Sequence, residues 1–222
     1  MNGSSETPSR TPPLVAYTVG HSNHTLEHFI EILIENDVTA IADVRSVPYS
    51  RYTTQFDREA LHAELKAAGI AYSFLGKELG ARPDDADCYK DGMADYNLIA
   101  ATPLFQSGLD RVIEGAQKYK IALMCAEKDP LDCHRTILVG RSLKRRNVVI
   151  RHIHADGKIE DCETAEKRLV KLTKQEMDDM FQPPGTVADP VERAYTVRGR
   201  EIAYTESHDP VSQADEQLAD SL

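Results

Sequence analysis

Short apolar runs alternate with amphipathic helical stretches along most of this chain, and that alternation restricts the fold more than any other feature. Residues 15–20 read as a strand and 25–36 as a helix. In that helix Leu26, Phe29, Ile30, Leu33 and Ile34 share a face, and Thr25 with His28 forms half a capping box. Strands at 40–45 and 70–75 flank a helix over 57–69, with Asp57 as its N-cap and Gly69 as its stop. A helical pattern over 95–119, interrupted near Thr102 and Pro103, leads to a fourth strand at 121–125. A helix opening with Cys133, His134 and Arg135 then runs to about 146, before a fifth strand at 148–153 and a charged helix over 163–174. Strands separated by helices imply right-handed βαβ units. The expected fold is α/β, a Rossmann-like three-layer sandwich with a mostly parallel five-stranded sheet. Residues 76–92, rich in glycine and aspartate, read as a long loop of the kind used as a lid or binding loop.

With 222 residues, 41% of them apolar, one domain over 14–180 can bury a real core. A flexible leader is expected at 1–13, without the apolar segment of a secretory signal. A linker with a C-terminal arm or helix is expected over 181–206, and a disordered acidic tail over 207–222. No apolar run approaches the roughly 20 residues needed to span a bilayer. Cys88, Cys125, Cys133 and Cys162 form no compact disulfide framework, so reduced thiols and a cytoplasmic location are expected. The net charge of -10 speaks against general duplex-DNA binding. The cationic run over 141–146 reads as the solvated C-terminal end of a helix.

The chemistry gathers at strand ends. Strand one ends at His21 and Ser22, strand two at Asp43 and Arg45, and strand four at Cys125 and Glu127. In a parallel sheet these ends lie on one edge, beside the N-terminus of the Cys133 helix, where ligands bind in α/β folds. Asp129 followed by Pro130 reads as an N-cap with proline at the first helical position, which puts Cys133 and His134 in the first turn. There a thiolate and an anionic ligand are favoured, and Arg135 could form a bidentate anion clamp. Each residue also has a plain structural role open to it: a turn cap, an ion pair, or a small buried hydrophobe.

A metal site is the competing reading, with Cys125, Cys133 and His134 joined by His21. The eight-residue cysteine spacing exceeds that of structural zinc knuckles, and neighbours on a helix point about 100° apart, so no metal is expected. No cofactor is expected either.

Four motifs carry a family resemblance. They are Thr18-Val-Gly-His-Ser-Asn23, Asp43-Val-Arg-Ser-Val-Pro-Tyr-Ser-Arg51, Phe74-Leu-Gly-Lys-Glu-Leu-Gly80 and the segment from Leu123 through Cys133-His-Arg135. Together they resemble the DUF488 family over about residues 15–172, and the segment 192–204 resembles a C-terminal element of some members. The resemblance implies a Rossmann-like cytoplasmic domain without a settled reaction. It also puts weight on His21, Ser22, Asp43, Arg45, Pro48, Arg51, Cys125, Glu127, Cys133, His134 and Arg135 as a set.

A weaker similarity links Asp43-Val-Arg45 and the strand-end cysteine to rhodanese domains and cysteine phosphatases. Those need a tight loop from cysteine to arginine. Here Arg135 stands ten positions after Cys125, and Glu127, Asp129 and Asp132 fall between them, where they would repel a dianion.

The leading expectation is a hydrolase-like enzyme acting on a nucleotide, nucleobase or nucleic-acid component. Arg45, Arg51, Ser22 and the Cys133-His134-Arg135 segment would hold a small anionic ligand. Asp43 or Glu127 would act as general base with His21 as proton shuttle, and Cys125 would shape the pocket or attack as a thiolate. Tyr49, Tyr52 and Phe56 could stack on a base. The alternative is a non-catalytic nucleotide-binding, thiol redox or metal-sensing module. Oligomeric state is open.

Overall fold

A computed structural model of the chain describes residues 12–176 and 189–205. The leader up to residue 11, the linker over 181–188 and the tail over 207–222 lie outside the described residues. The elements run β1 (Val15–Gly20), α1 (Leu26–Glu35), β2 (Ala40–Asp43), α2 (Arg58–Ala67), β3 (Ala71–Phe74), α3 (Gly76–Leu79), β4 (Tyr89–Lys90) and β5 (Met93–Ala94). They continue with α4 (Tyr96–Ala101), α5 (Pro103–Ala116), β6 (Ile121–Cys125), α6 (Arg141–Arg145), β7 (Val149–Ile153), β8 (Ile159–Asp161), α7 (Cys162–Leu172) and α8 (Pro190–Ile202). A π-helical stretch, Arg135–Gly140, leads directly into α6.

The main sheet has the order β3-β2-β6-β1-β7-β8 and is parallel except for its last pair. Its middle strands β2 and β6 are buried at every residue, as expected of parallel strands covered on both faces. On one face Phe29, Leu33, Leu61 and Leu65 from α1 and α2 pack on Ile41 and Met124. On the other, Phe105, Leu109 and Val112 from α5 pack on Ala42 and Leu123, while Leu138 and Leu143 cover Ile150. Each such fully buried side chain contributes roughly 1.5–3 kcal/mol.

A third cluster joins α7 and α8 to the body through Ile137, Ala165, Leu169, Ala194 and Tyr195. No helix among the described residues is long and apolar enough to cross a membrane.

Two expectations need correction, and a third holds with an addition. The sheet has six strands: β8 hairpins back onto β7 through a turn in which His154 N–H donates to the Lys158 carbonyl and Gly157 has φ 75°. The supposed loop over 76–92 is structured, holding α3, a 3-10 turn at Ala86–Cys88 and the first strand of a β4–β5 hairpin. The cationic run does stand at the C-terminal end of α6, with Lys144 and Arg145 exposed, and its cations are paired as well. Arg141 and Arg145 both bond Glu192 of α8, Lys144 bonds Glu166 of α7, and Arg146 bonds Asp110 of α5.

Local capping follows the sequence more closely. Thr25 accepts from His28 N–H, and Thr102 accepts from Phe105 N–H at the break between α4 and α5. Asp57 stands at the N-cap position of α2, but its carboxylate accepts from Ser50 N–H at 3.0 Å instead of from the helix.

Candidate functional site

Parallel register sets Gly20 beside Cys125 and Asp43 beside Met124, so the carboxyl ends of β1, β2 and β6 lie level. After Cys125 the chain turns through 126–134. Asp129 caps the 3-10 turn Pro130–Asp132 by accepting from Leu131 N–H at 2.8 Å. Gly20 comes so close that a Cβ there would stand 1.9 Å from the Glu127 carbonyl oxygen, so only glycine fits. Arg135 is wholly buried and sends Nη1 to that same carbonyl at 2.8 Å. The anion clamp expected of Arg135 is thereby corrected. Sealed behind the turn, its guanidinium holds the backbone of 127 and 128 in place.

Cys133 is also placed differently from its expected position in a helical first turn. Its backbone is extended, with φ -136° and ψ 140°, and its carbonyl accepts from Ile137 N–H. Its sulfur lies 3.5 Å from Arg135 N, so Cys133 caps the helix. The 100° divergence from His134 therefore disappears. The sulfurs of Cys125 and Cys133 and His134 Nδ1 all lie within 4.8 Å of one another. Nδ1 is 3.7 Å from the Cys125 sulfur and 3.9 Å from that of Cys133. His134 Nε2 is 2.9 Å from the Val44 carbonyl, which can only accept. Nε2 thus carries a proton, and although burial opposes it, the neighbouring Cys133 sulfur raises the His134 pKa above its ordinary value.

Burial pushes the Cys133 thiol up, but the bond from Cys125 and the nearby Arg135 and His134 outweigh it and hold the group well below its ordinary value. The bond with Cys133 and burial push the Cys125 thiol well above its own.

Beside this group sits an ion pair. Asp43, wholly buried, takes Arg45 Nε at 2.9 Å and Nη2 at 2.7 Å, together with the Tyr72 hydroxyl at 2.8 Å. Arg45 Nη1 lies 3.4 Å from His21 Nε2, while His21 Nδ1 donates to the Ser22 carbonyl at 2.8 Å. Burial and Arg45 lower the His21 pKa to about 4, and its ring stacks on Phe56 at 4.2 Å. His21 is therefore neutral near pH 7 and a weaker base than an ordinary histidine.

A cleft of about 460 Å3 opens over this edge. Cys125, Glu127, His134 and Arg45 line it. Asp43, Cys133 and Arg135 stand behind the lining, and His21, Ser22 and Arg51 lie outside it. The Ser22 hydroxyl instead bonds Asn23. Of the three aromatics proposed for stacking, Tyr49 lines the cleft, Phe56 is core and Tyr52 is exposed. Tyr96, Arg82 and Tyr204 line it from distant parts of the chain, and Arg82 lies 4.4 Å over the Tyr204 ring. The Glu127 side chain is 43% exposed, yet the cleft walls and the Cys133 sulfur raise its carboxyl above the ordinary value.

A family model for the domain of unknown function DUF488 matches residues 25–142, just over half of the chain. The chain belongs to the DUF488 family. Comparison with curated proteins and with solved structures gives no significant match. The DUF488 match contains Asp43, Arg45, Cys125, Glu127, Cys133, His134 and Arg135. It leaves out β1, with His21 and Ser22, and it leaves out α8, whose end carries Tyr204 onto the cleft.

Proposed function

We propose that this DUF488 protein is a hydrolase-like enzyme that takes a small anionic, nucleotide-like ligand into the cleft. One observation carries the reading. A single cleft brings together arginines from two loops, tyrosine rings from α4 and the C-terminal arm, and the Glu127 carboxyl beside Cys125 and His134. Arg45 has five N–H donors, of which Asp43 and His21 engage three, so two remain for a ligand anion. Asp43 acts as a positioning residue that fixes this guanidinium. Tyr96 and Tyr204 offer faces on which a base stacks.

Glu127, with its raised proton affinity, accepts a proton from the attacking water and returns it to the leaving group. The cleft is sized for a small molecule and not for a duplex. Free thiols suit the reducing cytoplasm.

The test is a panel of nucleotides, nucleosides and bases, read by thermal shift and then by product analysis. Glu127→Gln is expected to keep the shift while losing roughly 100-fold or more in turnover. A panel that gives no shift, or a Glu127→Gln protein with wild-type turnover, overturns the reading.

A thiol redox module is the second reading, favoured by two sulfurs within 4.8 Å. It predicts that mild oxidation removes two titratable thiols and that Glu127→Gln has no effect.

A further inference from the structure

We propose that Cys125, Cys133 and His134 form a three-ligand site for a zinc-class divalent cation, with its fourth position turned into the cleft. Its catalytic use rests on the hydrolase reading above; the binding itself does not.

The distances fit one ion. Tetrahedral zinc, with bonds of about 2.3 Å to sulfur and about 2.0 Å to nitrogen, sets sulfur–nitrogen edges near 3.6 Å. The two edges here are 3.7 and 3.9 Å. All three ligand atoms close within 4.8 Å, so one ion can reach each of them.

The surroundings fit as well. His134 donates Nε2–H to the Val44 carbonyl at 2.9 Å, which fixes the tautomer that leaves Nδ1 for a metal. The Cys133 sulfur faces Arg135 N–H at 3.5 Å, a contact that supports a thiolate. Two thiolates and a neutral imidazole balance a dication in a place too buried for uncompensated charge. Sulfur and imidazole donors select zinc-class ions over magnesium or calcium.

Geometry also decides which kind of metal site this is. Structural zinc sites close with four protein ligands, whereas catalytic ones keep a position open. Cys125 and His134 line the cleft while Cys133 stands behind them, so the open position faces the ligand space. Glu127 lines the same cleft and is not among the three clustered groups, which leaves its carboxylate for proton transfer. In the reaction, Glu127 takes a proton from water held at the open position. The oxygen then attacks the substrate, the bond to the leaving group breaks, and the proton goes to that group. One water is consumed and no redox change occurs.

The experiment uses the full chain, reduced and stripped with a chelator, then titrated with cobalt(II) and back-titrated with zinc(II). One equivalent is expected, with a sulfur-to-cobalt charge-transfer band, tetrahedral ligand-field bands, and complete displacement by zinc. Cys133→Ser is expected to weaken binding by more than the roughly 10–100-fold that changes around a metal's ligands cost. Cys88→Ser and Cys162→Ser are expected to bind as the wild type does. If Cys133→Ser fails to fold, protection of two thiols from alkylation by zinc decides in the wild-type protein.

Absence of binding, a cobalt spectrum without the sulfur band, or thiols that close to a disulfide in preference to binding overturns the site. Stoichiometric metal with no turnover of the panel overturns the hydrolase reading alone. Full turnover by metal-free protein overturns the metal's role and leaves that reading standing.

Discussion

Asp43, Arg45 and Tyr72 near the end of β2, and Cys125, Cys133 and His134 around the end of β6, sit on the same edge of the sheet and are built to opposite rules. In the first group the polar atoms turn mainly on one another, and only two Arg45 donors are left toward the cleft. Arg45 grips Asp43 through two nitrogens, Tyr72 adds a hydroxyl, and neutral His21 accepts from the far side of the guanidinium. In the second, the sulfurs and Nδ1 meet at 3.7 and 3.9 Å, too far for strong bonds and spaced for something between them. Burial and charge alone therefore do not mark a functional site. What separates a positioning cluster from a reactive one is whether its valences are already satisfied.

The largest expected effect belongs to the closed group. Asp43→Asn leaves the Arg45 charge buried against a neutral amide, and breaking such a pair costs about 3–5 kcal/mol. Urea denaturation should show this as a shifted midpoint with an unchanged slope. A cost under about 1 kcal/mol would mean that water or the cleft already compensates Arg45, and the group would not be closed.

His21 tests the same closure by pH. In the folded protein it protonates only near pH 4, whereas unfolded it does so near 6.5. Its stabilising effect is full above pH 6.5 and falls as pH drops from 6.5 toward 4, because the unfolded chain takes up the proton first. The loss amounts to about 3 kcal/mol by pH 4. His152, also lowered to about 4 by burial and Arg135, has the same sign. Stability measured from pH 7 to 4 should thus fall less steeply in His21→Asn than in the wild type; an unaltered slope would place the titration elsewhere.

Periodicity made the layers legible, because α1, α2 and α5 each present one apolar face and β2 and β6 are apolar apart from Asp43 at the end of β2. It also made the carboxyl edge legible, since parallel strands must end together. The β4–β5 hairpin carried a signal that went unused. Asp91 and Gly92 both have positive φ, 53° and 74°, as a two-residue turn of this hand demands. Strand β8 carried little, being three residues with two acids.

Cys133 was misplaced for a physical reason. Asp129 and Pro130 do cap a turn, but it is a 3-10 turn that ends at Asp132, and the helix begins again with cysteine as its unconventional cap. His134 is legible in the sequence as a candidate but its orientation is not, because the carbonyl that orients it belongs to Val44, on a different strand end. Arg82, Tyr96 and Tyr204 were hidden similarly: each reaches the cleft through tertiary packing that no local pattern encodes.

Tyr72→Phe removes one hydrogen bond to a buried carboxylate and leaves the ring in place. Because Arg45 still holds both carboxylate oxygens, the expected cost is about 1.5 kcal/mol, well short of that for Asp43→Asn. A cost equal to that of Asp43→Asn would mean that the hydroxyl, and not the ion pair, closes the group.

Cys133→Ala has the smallest expected effect on the metal-free protein and separates the two groups most cleanly. It deletes a sulfur that caps Arg135 N–H and little volume, so the loss should be about 1 kcal/mol. Adding zinc then divides the variants. At about 1,000 times its dissociation constant, a ligand that binds only the folded state stabilises it by about 4 kcal/mol. Wild type and Tyr72→Phe should both gain that increment, because the closed group does not take part in binding. Cys133→Ala should gain almost none of it. If the increment is missing from the wild type, or survives in Cys133→Ala, then the β6 group is as self-contained as the one on β2, and its wide spacing serves packing alone.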